Sequence, residues 1–387
     1  MDKPARKAYR KHNSFVELRH KHAGAEQTAR ARIGAVRSRS DLAAVLSAAH
    51  RAIYTQAMAD IFGESTTAGG PRFALSPNVI EEINAITDEA LPRYLVHRYR
   101  YEIFPQKYIV DDFPPYLQIE PSSVCNYRCV FCFETDKTFT RKSAGFMGHM
   151  KLDTFKRVVD GAAGRVEFLS LASRGEPLLC PDIVPMLAYT RGKFLNLKLN
   201  TNASLLDEEK CHAILQSGVK TLVFSADAAA EPLYSQLRVG GKLDKVLANI
   251  KRFQKIRATQ YAGTGLITRV SGVKVNDTQN LDSMQRLWGG LADQVAFVEY
   301  NPWENTYQQP INDIAAPCSD LWRRMFVWWD GKVNPCDTDY KSTLSVGSIG
   351  DCGLGELWTS EAYERLRRNH LERRRRDQSP CNRCTVV

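Results

Sequence analysis

An α/β architecture with a mainly parallel sheet is predicted for residues 111–308, and three observations predict it. Six short apolar runs, at 116–120, 165–171, 195–200, 220–225, 264–273 and 294–300, read as strands. Patterns of helical period lie between them, at about 152–161, 182–193, 206–217, 242–258 and 279–290. The gaps are long enough for helical crossovers, and strands joined that way pair in parallel. Outside this stretch the rhythm changes: helix dominates before it, and cysteines accumulate after residue 310. Periodicity by itself does not separate an open sheet from a partial barrel.

The chain opens on a basic lead-in. Residues 1–40 hold eleven Lys and Arg against Asp2, Glu17 and Glu26. Such an arm suits nucleic acid or an acidic partner, but no nucleic-acid motif accompanies it, so a solvated, partly helical lead-in is the plainer reading. From Asp41 an amphipathic helix is expected, capped by Ser40 or Asp41, running to Ile61-Phe62 and stopping at Gly63. Residues 65–71 read as a loop, and a second helical pattern covers about 78–100. Phe104-Pro105 and then Asp111-Asp112-Phe113-Pro114-Pro115 mark a boundary. The expected division is a basic, mostly helical extension over 1–110, the α/β part over 111–308 and a cysteine-bearing part over 309–387.

Composition restricts the class. The 387 residues are 43% hydrophobic and 25% charged, ordinary for a globular protein, and the net charge is +10. No apolar run approaches the roughly 20 residues of a membrane span, and no signal-peptide core follows the N-terminus, so a cytoplasmic protein is expected. Ten cysteines in such a chain point to metal or redox chemistry rather than a disulfide framework.

The first of these cysteines leave the end of the first strand as Cys125-Asn126-Tyr127-Arg128-Cys129-Val130-Phe131-Cys132. The spacing C-x3-C-x2-C suits three thiolates holding three irons of a cube, with the fourth iron open to a small molecule. A zinc knuckle is the alternative, but structural zinc usually takes four ligands, and the next Cys or His after Cys132 is His149. With the aromatic Phe131 before the third Cys, the motif resembles the signature of the radical S-adenosylmethionine (SAM) superfamily. That resemblance implies a (β/α)6 partial TIM barrel, a SAM-binding [4Fe–4S] cluster on Cys125, Cys129 and Cys132, and SAM as cofactor.

In such barrels the chemistry sits at the C-terminal ends of the strands. After the second strand, Ser173-Arg174-Gly175-Glu176-Pro177 resembles the family's Gly-Gly-Glu-Pro, with Arg174 in place of the first Gly; Glu176 is the residue carried over as receptor of the SAM amino group. The third strand ends in Asn200-Thr201-Asn202, similar to the family's ribose-side segment, so Asn200 and Asn202 are expected near the cofactor. Ser225, ending the fourth strand, and Arg238 correspond to the hydroxyl and guanidinium that hold the SAM carboxylate in similar enzymes, a surface Arg on a helix being the alternative reading of Arg238. Phe131 completes the expected cofactor contacts. Glu299, Asn301, Trp303 and Glu304, at the end of the sixth strand, are candidates to meet substrate, with Glu299 and Glu304 as candidate catalytic carboxylates; a polar loop rim is the plainer reading of any one of them.

Beyond residue 310, Cys318, Cys336, Cys381 and Cys384 are spaced C-x17-C-x44-C-x2-C. Residues 326–334 read as a hairpin with an Asp-Gly turn that delivers Cys336. Taken locally these four cysteines also fit a zinc site. Behind a radical SAM barrel they resemble a twitch domain, the shortened form of the SPASM domain, and imply one auxiliary [4Fe–4S] cluster. The spacing is similar to that of an aminocyclitol dehydrogenase oxidising 2-deoxy-scyllo-inosamine. Of the three cysteines left over, Cys180 and Cys211 read as packed, and Cys352 as a possible hydrogen donor.

The resemblance implies cleavage of SAM to a 5′-deoxyadenosyl radical and hydrogen abstraction from a sugar-like or aminocyclitol small molecule, leading to dehydrogenation or epimerisation. A reductant such as flavodoxin or ferredoxin is implied as partner. The alternative is a peptide-modifying radical SAM/SPASM enzyme whose basic arm grips a leader peptide; a remoter one is a non-catalytic iron–sulfur or zinc protein that binds nucleic acid.

Overall fold

The computed structural model describes Ala8, the backbone of 15–19, and residues 24–65 and 69–387. The rest of the basic arm and of the loop at 65–71 lies outside the described residues. Its centre is a ten-stranded sheet in which the six expected strands, Tyr116–Ile119, Phe168–Leu171, Asn196–Thr201, Val219–Ser225, Ile267–Lys274 and Gln294–Glu299, lie side by side in chain order, all parallel. The expected crossover helices are Leu152–Ala162, Ile183–Tyr189, Glu208–Gln216, Leu243–Gln260 and Leu281–Gly289. This is the α/β partial barrel.

Two-residue periodicity sorts the strands' side chains. Leu117, Ile119, Leu169, Leu171, Leu197, Leu199, Leu222 and Phe224 join the main hydrophobic core. The residues between them face the other way, and cross-strand register aligns Gln118, Ser170, Lys198 and Thr221 in one polar row across four strands.

Both edges of the barrel are occupied by other parts of the chain, so neither presents an open ladder of N–H and C=O groups. Phe15–Arg19 pairs antiparallel with the sixth strand. Arg324–Val327, from the C-terminal part, pairs parallel with the first. The expected hairpin is present: Arg324–Val327 turns at Gly331, with a left-handed φ of 85°, into Lys332–Asn334. That its first strand extends the barrel sheet was not legible in the local pattern.

The N-terminal region departs from expectation in three places. The partly helical lead-in over 1–40 is not simply solvated: its helix, Ala25–Arg37, buries Ala29, Ile33 and Val36. The helix expected from Asp41 is interrupted: Ser40–Ala43 is followed by a break and by Ala48–Phe62, whose cap is Ser47, accepting from His50 N at 3.2 Å. The break lets Leu46 turn inward while Val45 stays outside. Gly63 ends this helix as expected, with φ 74°. The third departure is the pattern expected over 78–100, which is two helices, Pro77–Ala85 and Leu91–Lys107, parted where Ile86 is extended; the second runs through Pro105 because Pro costs only one ladder bond in a last turn whose Ile103 and Phe104 are buried.

These helices pack on the N-terminal end of the barrel. Phe168, the first residue of the second strand, belongs to their hydrophobic cluster and stacks on His97 at 4.0 Å with the rings 2° from parallel. Arg93 and Glu167 form a two-bond ion pair across the same contact.

Truncating Phe168→Ala should therefore destabilise extension and barrel together, by about 3–5 kcal/mol as for other buried Phe to Ala changes. Thermal unfolding followed by far-UV dichroism should show one transition at a lower midpoint. A separate early transition of the extension would show instead that the two fold independently.

Candidate functional site

The first three cysteines lie in a loop tied down on three sides. Ser123 N donates to Gly148 O at 3.0 Å. Cys129 lies in a two-residue strand directly opposite Arg238, and Val130 N donates to Leu237 O at 3.0 Å. Asn126 accepts from Asn202 Nδ2 at 3.0 Å and donates to Ser204 at 2.9 Å. Gly175 lies so close to this loop that an added Cβ would stand 2.5 Å from the carbonyl oxygens of Ser122 and Val124.

The three thiols are buried close enough to act on one another. Burial, then Glu176, pushes Cys125 up to about 12. Burial and then Cys129 hold Cys132 far above an ordinary thiol. Burial also raises Cys129, which Arg238 opposes from 3.8 Å. Thiols that resist ionisation by themselves and gather in one place suit a cationic metal centre, which replaces their protons. The donor set fits an iron–sulfur cluster.

Of the expected cofactor residues, Glu176, Asn202 and Arg238 gather around the same loop. The Glu176 carboxylate accepts from Leu178 N at 3.1 Å, Thr201 Oγ1 at 2.7 Å and Asn202 N at 2.7 Å. Burial raises its pKa while those donors lower it. Asn202 is committed to the scaffold, its Oδ1 accepting from both the N–H and the hydroxyl of Ser204. Asn200 Oδ1, by contrast, is buried without a partner, and Ser225 is half-buried at the end of its strand. Arg238 is not on a helix: it follows Leu233–Leu237 and contacts Asp227 Oδ2 at 2.6 Å. Its guanidinium lies 5.9 Å from the Phe131 ring centroid.

The sixth strand's candidates separate. Glu299 is exposed. Glu304 accepts a short bond from Tyr300 OH and keeps Oε2 buried without a partner. Asn301 accepts from Thr385 Oγ1 at 2.6 Å, and Trp303 Nε1 donates to Phe131 O at 3.0 Å, so both act as struts to neighbouring segments. Cys352 is exposed, whereas Cys180 and Cys211 are buried in the main core.

Arg174, the departure from the family-like motif, is explained by position. Its Nε and Nη2 bind the two oxygens of Glu120 at 2.7 and 2.6 Å, and Nη1 donates to Tyr340 O at 2.8 Å. The guanidinium also lies 4.2 Å from the Trp328 ring centroid. It thus joins the ends of the first two strands to the C-terminal part.

Cys318, Cys336, Cys381 and Cys384 line one apolar cavity with His370 and Arg375. Burial raises Cys318 to about 11 and Cys336 and Cys381 still higher. Arg375 donates to the carbonyls of Cys381 at 3.0 Å, Ala316 at 3.0 Å and Cys384 at 2.6 Å. It stands in a run of four arginines at 373–376, and nothing in that run marks the one that turns inward. Sequence reasoning also missed the roles of Glu120, whose partner Arg174 lies 54 residues away, and of His370, which lies far in sequence from Cys318. Among the described residues no three His, Cys, Asp or Glu side chains close on a single-ion position, which cluster ligands need not do because each binds a different iron.

Residues 119–281 match the family model of the radical SAM superfamily, and 318–385 that of SPASM, an iron–sulfur cluster-binding domain. A GTP 3′,8-cyclase of Clostridium botulinum strain Hall is 25% identical over 191 residues, 48% of this chain and 56% of that protein. An AdoMet-dependent heme synthase of Methanosarcina barkeri is 28% identical over 143 residues, 37% of this chain and 40% of that protein. The chain thus spans about half the length of the curated relatives it matches. Streptococcus suis SuiB, solved with its precursor peptide SuiA, shares the fold at TM-score 0.50 and 18% identity, over 71% of this chain and 72% of that one. BtrN, solved with AdoMet and 2-DOIA, superposes at TM-score 0.47 and 18% identity, over 72% and 95%.

Replacing Arg174→Ala would leave the Glu120 carboxylate buried and unpaired, which should cost about 3–5 kcal/mol. The double variant Glu120→Gln with Arg174→Met removes both charges and should recover much of that loss. Thermal melts of the two variants check this; a double variant no more stable than the single one would rule it out.

Proposed function

We propose that the chain is a radical SAM/SPASM enzyme with SAM and [4Fe–4S] clusters, including an auxiliary one, as cofactors, and that it dehydrogenates a sugar-like or aminocyclitol substrate. In this reading Cys125, Cys129 and Cys132 hold the SAM-binding cluster, and Cys318, Cys336, Cys381 and Cys384 hold a single auxiliary cluster. The chain then divides at 1–110, 111–308 and 309–387. Once bound, the two clusters and SAM would supply the hydrogen-abstracting radical and the electron acceptor that oxidation of an alcohol requires.

The chain's own groups do the rest. Glu176, pre-positioned by Thr201 and Asn202 N, presents a carboxylate to the SAM ammonium. Arg238 and Ser225 offer donors to its carboxylate, and the free acceptor of Asn200 suits a ribose hydroxyl. Oxidation of an alcohol also releases a hydroxyl proton, which a basic group at the site must accept.

The exposure of Cys352 carries the choice of dehydrogenation over epimerisation. An epimerase returns a hydrogen atom to a shielded carbon radical, and a thiol open to solvent is poorly placed to do so. With Cys180 and Cys211 packed in the core, no spare cysteine is placed at the barrel mouth.

Anaerobic reconstitution should load close to eight irons per chain, and replacing Cys125, Cys129 and Cys132 together by Ala should remove half of them and all SAM cleavage. Stoichiometric zinc without iron would end the reading. With substrate, the product should be two hydrogens lighter, and Cys352→Ala should keep most of the rate; a solvent deuterium built into the product, lost with that variant, would establish epimerisation. Modification of a precursor peptide instead of a small molecule would replace the substrate class.

A further inference from the structure

The auxiliary cavity contains one polar group whose hydrogen bonding is half complete. His370 lies near the end of the helix Glu361–Leu371 and is 1% exposed. Its Nδ1 stands 3.1 Å from Cys318 N, and since that N–H is a donor, Nδ1 must be the acceptor. In the neutral ring the proton therefore resides on Nε2. That nitrogen is buried without a partner, and the ring lines the four-cysteine cavity. A buried donor with no acceptor is costly unless something fills the space it faces. Arg375, a cationic side chain at this cavity, is already bound to three backbone carbonyls and serves to position the cysteine turns.

We infer that His370 donates its Nε2–H to the sulfur shell of the auxiliary cluster and so raises that cluster's reduction potential. A reduced cluster carries one more negative charge on its sulfurs, and a donor fixed beside them stabilises that form over the oxidised one. The Cys318 N–H holds the tautomer, so a cysteine loop sets the orientation of the donor that then tunes its own cluster. His370 is a positioning and tuning residue and makes no contact with substrate.

Two substitutions separate donation from packing. His370→Asn places an acceptor near the Nδ1 position but removes the donor at Nε2; His370→Gln places an amide N–H near Nε2. Full-length protein is loaded with iron and sulfide and titrated potentiometrically under EPR, and the signal that SAM does not shift reports the auxiliary cluster. His370→Asn should keep the auxiliary irons while the midpoint falls, and His370→Gln should return it towards wild type. With 15N-labelled histidine, wild type should show a nitrogen coupling to the reduced auxiliary cluster that His370→Asn lacks. Unmoved midpoints, or loss of the auxiliary irons from both variants without that coupling in wild type, would overturn the inference. Wild type without auxiliary irons would instead refute the four-cysteine cluster assignment itself, a distinguishable result.

Discussion

The buried pair of Glu120 and Arg174 is the constraint around which the active half of the molecule is assembled. Neither charge is tolerable alone: Glu120 is 0% and Arg174 3% exposed, and a single unpaired charge at such a depth costs several kcal/mol. Each is therefore stable only if the other arrives in the right place. Glu120 directly follows the first strand, next to the cysteine loop, and Arg174 lies three residues beyond the second, two before Glu176. The remaining donors and acceptors are satisfied from the C-terminal part, by Tyr340 O and by Trp329 N, which lies 3.3 Å from Glu120. One ion pair thus sets three segments at once, the cysteine loop, the Glu176 loop and the auxiliary domain.

The two cysteine sites are linked by the same interface. Tyr340 stacks on Phe133 at 4.9 Å, one residue after Cys132, and its hydroxyl donates to Asp136 at 2.8 Å. Lys341 reaches the same Asp136 at 2.7 Å. Cys336 lies four residues before Tyr340 in the chain. Rings and charges between the sites, rather than a flexible tether, therefore fix their relation. Because burial opposes ionisation at both sets of thiols, much of the free energy of metal binding is spent in deprotonating them, and metal occupancy and the closed state of the loops are coupled.

Protection of the sheet follows a similar economy. A six-stranded open barrel leaves two exposed edges, and this chain covers one with Phe15–Arg19 and the other with Arg324–Val327. Arg324 extends the second contact to the N-terminal helices: its guanidinium donates to Tyr101 OH, at 3.0 Å through Nε, and lies 5.1 Å from the Tyr116 ring centroid. Extension, barrel and auxiliary domain therefore meet at the start of the first strand.

Local signals carried a large share of the fold and site. Strand and crossover positions were legible because apolar period and turn residues act within a few residues of each other, and the cysteine motifs because cluster ligation demands particular spacings. The helix at 25–37 was obscured by charge: only three of its residues are buried, and a narrow apolar stripe among arginines leaves little periodic signal. Arg174 looked like a blemish in a glycine motif, and its meaning lay in Glu120, 54 residues away, and Tyr340, 166 residues away. The orientation of His370, the inward turn of Arg375 and the placing of Lys198 in a polar row were likewise decided by tertiary packing. Pattern and spacing determine elements and ligand sets because those depend on near neighbours; partners for buried charges come from distant parts of the chain, and only the assembled fold selects them.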